Sequence, residues 1–114
     1  RRYDELLAGQ ELTLPYVAAQ AEPVWHLYVV RTAARDRLAA HLNDQGIGVG
    51  IHYPTPLHLQ PAYRDLGYRA GSLPVTEAVA ATCLSLPLYP ELTEAQQDRV
   101  AAAVIAFLEE RITA

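Results

Sequence analysis

The chain has 114 residues, 51% hydrophobic and 19% charged, with a formal net charge of -4. That balance predicts one soluble globular domain with a real core, and its interspersed, net acidic charge leaves no basic footprint for nucleic acid or anionic lipid. All nine basic residues are arginine, so chemistry that needs a lysine amine must find it elsewhere.

In chain order, residues 1–9 suit a helix closed by Gly9, where the backbone can turn left-handed. Residues 12–23 hold two prolines and little periodicity, which reads as an extended connector. Residues 24–31, rich in β-branched and aromatic side chains, predict a mostly buried strand that carries Trp25 and His26, with the indole expected in the core. Thr32 is placed to cap a helix over 33–45. There Leu38 and Leu42 share the buried face, Arg35, Asp36 and Arg37 stay in solvent, and Gly46 ends the element.

Residues 47–52 predict a second strand, with Ile47, Val49 and Ile51 on one face and the bare Gly48 and Gly50 on the other. A loop follows in which Pro54 and Pro56 each fix a backbone angle and restrict the residue before them, so it is stiff enough to aim side chains. Residues 61–66 make a short helical turn, and Pro74 opens a helix running to about residue 81. A third strand spans 83–88. Finally Thr93-Glu-Ala-Gln96 matches a capping box and starts a long helix with Val100, Val104, Phe107 and Leu108 on its buried stripe. The fold class expected is α+β, a small, mostly antiparallel three-stranded sheet with helices packed on one face.

Lone Cys83 lies in an apolar run and fits a small buried residue of a reducing compartment, so a cytoplasmic protein is expected. No apolar run reaches the roughly 20 residues that span a bilayer, and no signal peptide is evident. The opening residues read as a helix already under way, which suggests a piece of a longer protein.

Chemistry concentrates in Gly46-Ile-Gly-Val-Gly-Ile-His-Tyr-Pro-Thr-Pro-Leu-His58. His52 offers an imidazole and Tyr53 a phenol, each able to donate or accept a hydrogen bond. The plain alternative is a strand-end histidine satisfied by backbone. Four scattered histidines without paired cysteines or close carboxylates do not make a zinc site, so no metal ligand is assigned. The alternating glycines lie inside a strand and do not precede a helix, as a phosphate loop would require. Ser85 lacks the flanking glycines of a hydrolase nucleophile.

Three motifs in order, Trp25-His-Leu-Tyr-Val-Val-Arg31, then residues 42–58 with Gln60-Pro-Ala-Tyr63, then Leu84-Ser-Leu-Pro-Leu-Tyr-Pro-Glu-Leu-Thr93, resemble the C-terminal part of the DegT/DnrJ/StrS sugar aminotransferases. The resemblance implies a pyridoxal-phosphate enzyme of the aspartate-aminotransferase fold. Residues 1–23 would be the end of an interdomain helix and its connector, and residues 24–114 the small domain that closes the substrate cleft. It further implies a homodimer that moves an amino group from glutamate or glutamine onto a nucleotide-linked keto sugar, in polysaccharide or antibiotic biosynthesis. A minority of the family carry out dehydration instead.

The cofactor's lysine and phosphate site would belong to an N-terminal large domain. Transamination needs that amine, so this segment alone is expected to be inactive, with no catalytic or cofactor-binding residue of its own. By resemblance His52, Tyr53 and His26 are the substrate-binding candidates, with Gln60 and Tyr63 beside them. Arg31 and Arg69 fit either a phosphate or surface ion pairs. The competing reading is a stand-alone α+β binding or interaction module without catalysis.

Overall fold

A computed structural model describes residues 1–113, and the side chains of residues 1–111. Helix α1 (Arg2–Leu7) is followed by an extended connector, strand β1 (Tyr28–Arg31) and helix α2 (Arg35–Asp44). Two short 3-10 turns, Leu57–Leu59 and Pro61–Leu66, lead to helix α3 (Pro74–Thr82), strand β2 (Cys83–Leu86) and helix α4 (Glu94–Thr113).

The sheet has two antiparallel strands rather than three, in the register Tyr28↔Leu86, Val29↔Ser85, Val30↔Leu84 and Arg31↔Cys83. A single bridge extends it on each side, Thr13 against Arg31 and Gly50 against Ser85. Residues 47–52 therefore do not form the expected strand. The chain there is still turning out of α2, with the Ile47 N–H bonded to the Leu42 carbonyl at 2.9 Å, and it meets β2 only at Gly50.

Both strands are shorter than their composition suggests: the ladder ends at the pair Tyr28↔Leu86, which makes Tyr28 the first paired residue of β1. Val24 is left 98% exposed and Trp25 37% exposed, which corrects the expectation of a buried indole; the Trp25 ring instead leans on Tyr28 with centroids 5.6 Å apart.

The core lies between the sheet and α1, α2 and α4. Tyr28, Val30, Leu84 and Leu86 meet Leu7, Leu38, Leu42, Val104 and Leu108 there. Successive strand residues point to opposite faces, so Cys83 and Ser85 look away from that core. They are nevertheless buried, because α3 and the loop after Gly50 cover the second face. Helices thus stand on both sides of the sheet, not on one.

Local signals held where the geometry is local. Thr93 Oγ1 accepts from the Gln96 N–H at 3.1 Å and Gln96 Oε1 accepts from the Thr93 N–H at 2.9 Å, the reciprocal bonds of a capping box. Gly46 takes φ 75 past the end of α2. Thr32 differs: its hydroxyl accepts from the Ala34 N–H at 3.2 Å and closes a turn, so α2 starts two residues later than expected.

Tyr3 and Tyr28 stack at 5.0 Å, and their hydroxyls donate to the Pro87 carbonyl and the Asp4 carboxylate respectively. Burial pushes the Tyr3 phenol up to about 12. Arg2 binds Asp98 with two hydrogen bonds of 2.8 and 2.9 Å and fastens α1 to α4. No described helix is long and apolar enough to cross a membrane.

Candidate functional site

The site grows from the one place where the chain after α2 touches the sheet. Gly50 and Ser85 exchange backbone hydrogen bonds of 3.2 and 2.8 Å, which anchors the start of the loop to a strand already held on its other edge by β1. Two residues on, His52 Nδ1 lies 2.8 Å from the Ser85 hydroxyl. Its ring passes so close to Gly50 that a Cβ there would meet Cε1 at 2.8 Å, so glycine is required for this ring position.

Tyr53 stands edge-on to the His52 ring, with centroids 5.4 Å apart and 70% of its surface exposed. Beneath the pair opens a cavity of about 340 Å³. The loop supplies His52, Tyr53 and Leu57 to its wall, and α3 with β2 supplies Val79, Ala80 and Cys83. The lining is mainly apolar with two polar rings at its mouth, the usual character of a small-molecule subsite. Cys83 is buried, as expected, with its sulfur 3.9 Å from the His52 carbonyl oxygen.

His26 is not part of this group. It is exposed and shares a separate cavity of about 340 Å³ with Trp25, Leu88 and Tyr89. Gln60 reaches back toward the Thr55 carbonyl, 3.5 Å away and at the limit of a hydrogen bond. Tyr63 lines a third, mostly apolar cavity of about 440 Å³ with Leu66, Tyr68 and His58. Arg31 donates to the Thr82 hydroxyl at 3.0 Å, and Arg69 is exposed.

Several features of the neighbourhood were not legible in the sequence. Arg35, expected in solvent, is 7% exposed; its Nη1 donates to the carbonyls of Ala80 at 3.0 Å and Cys83 at 2.9 Å. It clamps the end of α3 to the start of β2, and so holds the cavity's back wall. His58 is buried, its Nε2 3.4 Å from Glu77 Oε2, too long for a good hydrogen bond, and its Nδ1 has no partner. Glu77 accepts from the Gly71 and Leu73 N–H groups, which together with His58 hold its carboxylate below the ordinary value of 4.5. No local pattern marks either pair, because the partners stand 48 and 19 positions apart.

Among the described residues, no three histidine, cysteine or acidic side chains gather closely enough to hold a metal ion. Pyridoxal phosphate does not fit this chain's own residues either, since its covalent attachment needs a lysine and there is none.

The chain is 47% identical over 96 residues to the dTDP-3-amino-3,4,6-trideoxy-alpha-D-glucose transaminase of Streptomyces venezuelae, covering 84% of this chain and 25% of that protein. DesV of S. venezuelae, solved in complex with a ketimine intermediate, superposes on 95% of the chain with a TM-score of 0.92 at 45% identity, and the chain covers 29% of it. NtdA of Bacillus subtilis with bound cofactor PMP superposes on 95% of the chain with a TM-score of 0.79 at 31% identity, again over 26% of its own length. The chain thus spans less than a third of each of these relatives. The family model described as the DegT/DnrJ/EryC1/StrS aminotransferase family matches residues 1–105, and with that match over nearly its whole length the chain belongs to this family.

Proposed function

We propose that this segment is the C-terminal part of a pyridoxal-phosphate-dependent nucleotide-sugar aminotransferase. Residues 1–23 are the end of the interdomain helix and its connector, and residues 24–114 form the small domain that closes the substrate cleft. The observation that carries this reading is the superposition of 95% of the chain on DesV at a TM-score of 0.92.

Shape and surface support it. The radius of gyration is 15.7 Å, whereas a self-contained domain of this length is expected near roughly 13 Å. Leu57, Leu66, Tyr68 and Val75 are each more than half exposed in the stretch around the loop. An autonomous binding module would cover such side chains; a domain that packs against the rest of an enzyme leaves them bare when considered alone.

In this reading the cofactor supplies the amino-transfer chemistry from a large domain that also carries the lysine. This chain supplies recognition. His52 offers a ring nitrogen and Tyr53 a phenol to the hydroxyls or diphosphate of a nucleotide-linked keto sugar, over an apolar wall that keeps water from the cleft. His26 serves the same ligand from its separate cavity. The amino donor is glutamate or glutamine, and the working enzyme is a cytoplasmic homodimer.

The test is amino transfer by the complete polypeptide that carries this segment, with pyridoxal phosphate, glutamate and a dTDP-linked 3-keto sugar, read by mass spectrometry of the sugar. Amino sugar from the complete polypeptide and none from the 114-residue segment is the expected result. Turnover by the segment alone, or none by the complete polypeptide with any nucleotide-linked keto sugar, overturns the reading.

A further inference from the structure

His52 has two ring nitrogens, and the structure treats them differently. Nδ1 is engaged by the Ser85 hydroxyl at 2.8 Å, while Nε2 has no hydrogen-bond partner among the described residues. Ser85 is an unusually firm support for such a bond. It is 4% exposed, faces Val29 across the β1–β2 ladder on one side, and exchanges two backbone hydrogen bonds with Gly50 on the other. Its backbone is therefore fixed from both edges, and its hydroxyl can reach only what the rotamer allows.

Gly50 contributes a second, independent constraint. The His52 ring lies where a Cβ on residue 50 would stand 2.8 Å from Cε1, a distance that real Cβ atoms do not show. The same residue that pairs with Ser85 thus leaves open the space into which Ser85 draws the ring. The hydroxyl sets the ring's hydrogen bond and the missing side chain sets its position.

We propose that Ser85 and Gly50 are positioning residues for substrate recognition, which hold His52 through Nδ1 so that Nε2 is the nitrogen offered to an oxygen of the nucleotide sugar. The inference rests on the proposed placement of His52 in the substrate cleft. Its consequence is orientation: the hydroxyl can donate to Nδ1 or accept from it, so the bond fixes the ring and the direction in which Nε2 points, whichever nitrogen carries the proton. Without Ser85 the ring is free to rotate, and recognition weakens although no residue touching the substrate has changed.

The experiment is a double-mutant cycle in the complete enzyme, with kcat and KM for the nucleotide sugar measured for wild type, Ser85→Ala, His52→Ala and the double variant. Ser85→Ala is expected to raise KM about 3- to 10-fold, the usual contribution of one hydrogen bond, with kcat retained and with no further loss once His52 is alanine. A fully additive effect shows that Ser85 does not act through His52, and an unchanged KM in Ser85→Ala shows that it does not act at all; either overturns the proposal. If His52→Ala alone leaves KM unchanged, the cleft placement itself fails, and this inference with it. Should Ser85→Ala fail to fold, Ser85→Cys, which keeps the shape and weakens the hydrogen bond, takes its place in the cycle with the same outcomes. Gly50→Ala, which displaces the ring and keeps the hydroxyl, is expected to raise KM in the same way, and an unchanged KM there overturns the role of Gly50.

Discussion

Arg35 Nη1 donates to the carbonyl oxygen of Cys83 at 2.9 Å, across 48 positions of sequence and from a side chain almost wholly out of solvent. A helix that reads as amphipathic, with its charges outward, in fact turns one charge inward. There it satisfies two carbonyls at the point where α3 gives way directly to β2 without a loop. Asp36, exposed beside it, accepts from Arg35 Nε at 2.6 Å and balances the cation at its solvent edge.

Arg35→Ala is accordingly expected to cost about 2–4 kcal/mol, because it strands two carbonyls and removes buried packing together. Urea unfolding of the chain checks this through the shift in midpoint. Arg35→Lys should recover only part of the loss, since an ammonium lacks the planar fork that serves the two carbonyls and Asp36 at once. A variant within about 0.5 kcal/mol of wild type contradicts the clamp.

Thr93→Ala removes the hydroxyl that accepts the Gln96 N–H at the start of α4. The expected loss is about 1 kcal/mol, with Thr93→Ser close to neutral, measured in the same unfolding experiment. Because α4 carries Val100, Val104 and Leu108 into the core, fraying at its first turn should also appear as faster amide exchange there.

Acid should weaken the fold through two carboxylates. Glu77 is held below its ordinary value first by the Gly71 N–H, then by the Leu73 N–H and His58, and Asp98 is held below 3.8 by its hydrogen bonds with Arg2. A depressed folded value means that each contributes stability above its unfolded value and loses it as pH falls through the lowered one. Unfolding free energy measured from about pH 6 down to about pH 2 should therefore fall on the acid side. Glu77→Gln and Asp98→Asn should each flatten that fall. An unchanged slope in both variants contradicts the assignment.

What can be read from the chain without its structure divides along a physical line. Pro74 at the head of α3, the glycine after α2, the Leu38 and Leu42 pair and the Thr93 box are decided within a few residues, and each stands as expected, whereas α1 ends at Leu7 and Gly9 takes its positive φ beyond an extended Ala8. Strand pairing is decided elsewhere. Residues 47–52 alternate as a strand should, yet they meet β2 only at Gly50, and β1 is paired only from Tyr28 onward, opposite Leu86.

The candidate site shows the same division. The stiff loop marks His52 and Tyr53 in the sequence, and they do share one cavity, while His26 opens into another. Ser85, which binds His52, and Arg35, which fastens the wall of that cavity, carry no local signature. A serine without flanking glycines is ordinary until the fold brings an imidazole to it, and an arginine in a charged cluster reads as solvated until two carbonyls arrive from elsewhere in the chain.

The most direct test of the account is the visible absorption spectrum of the complete polypeptide that carries this segment, purified with pyridoxal phosphate and then mixed with glutamate. The account predicts a protein-bound cofactor band in the visible that is lost to shorter wavelength as the cofactor takes up the amino group, with no such band from the 114-residue segment. A complete polypeptide that binds no cofactor, or whose cofactor band ignores both glutamate and glutamine, would contradict it.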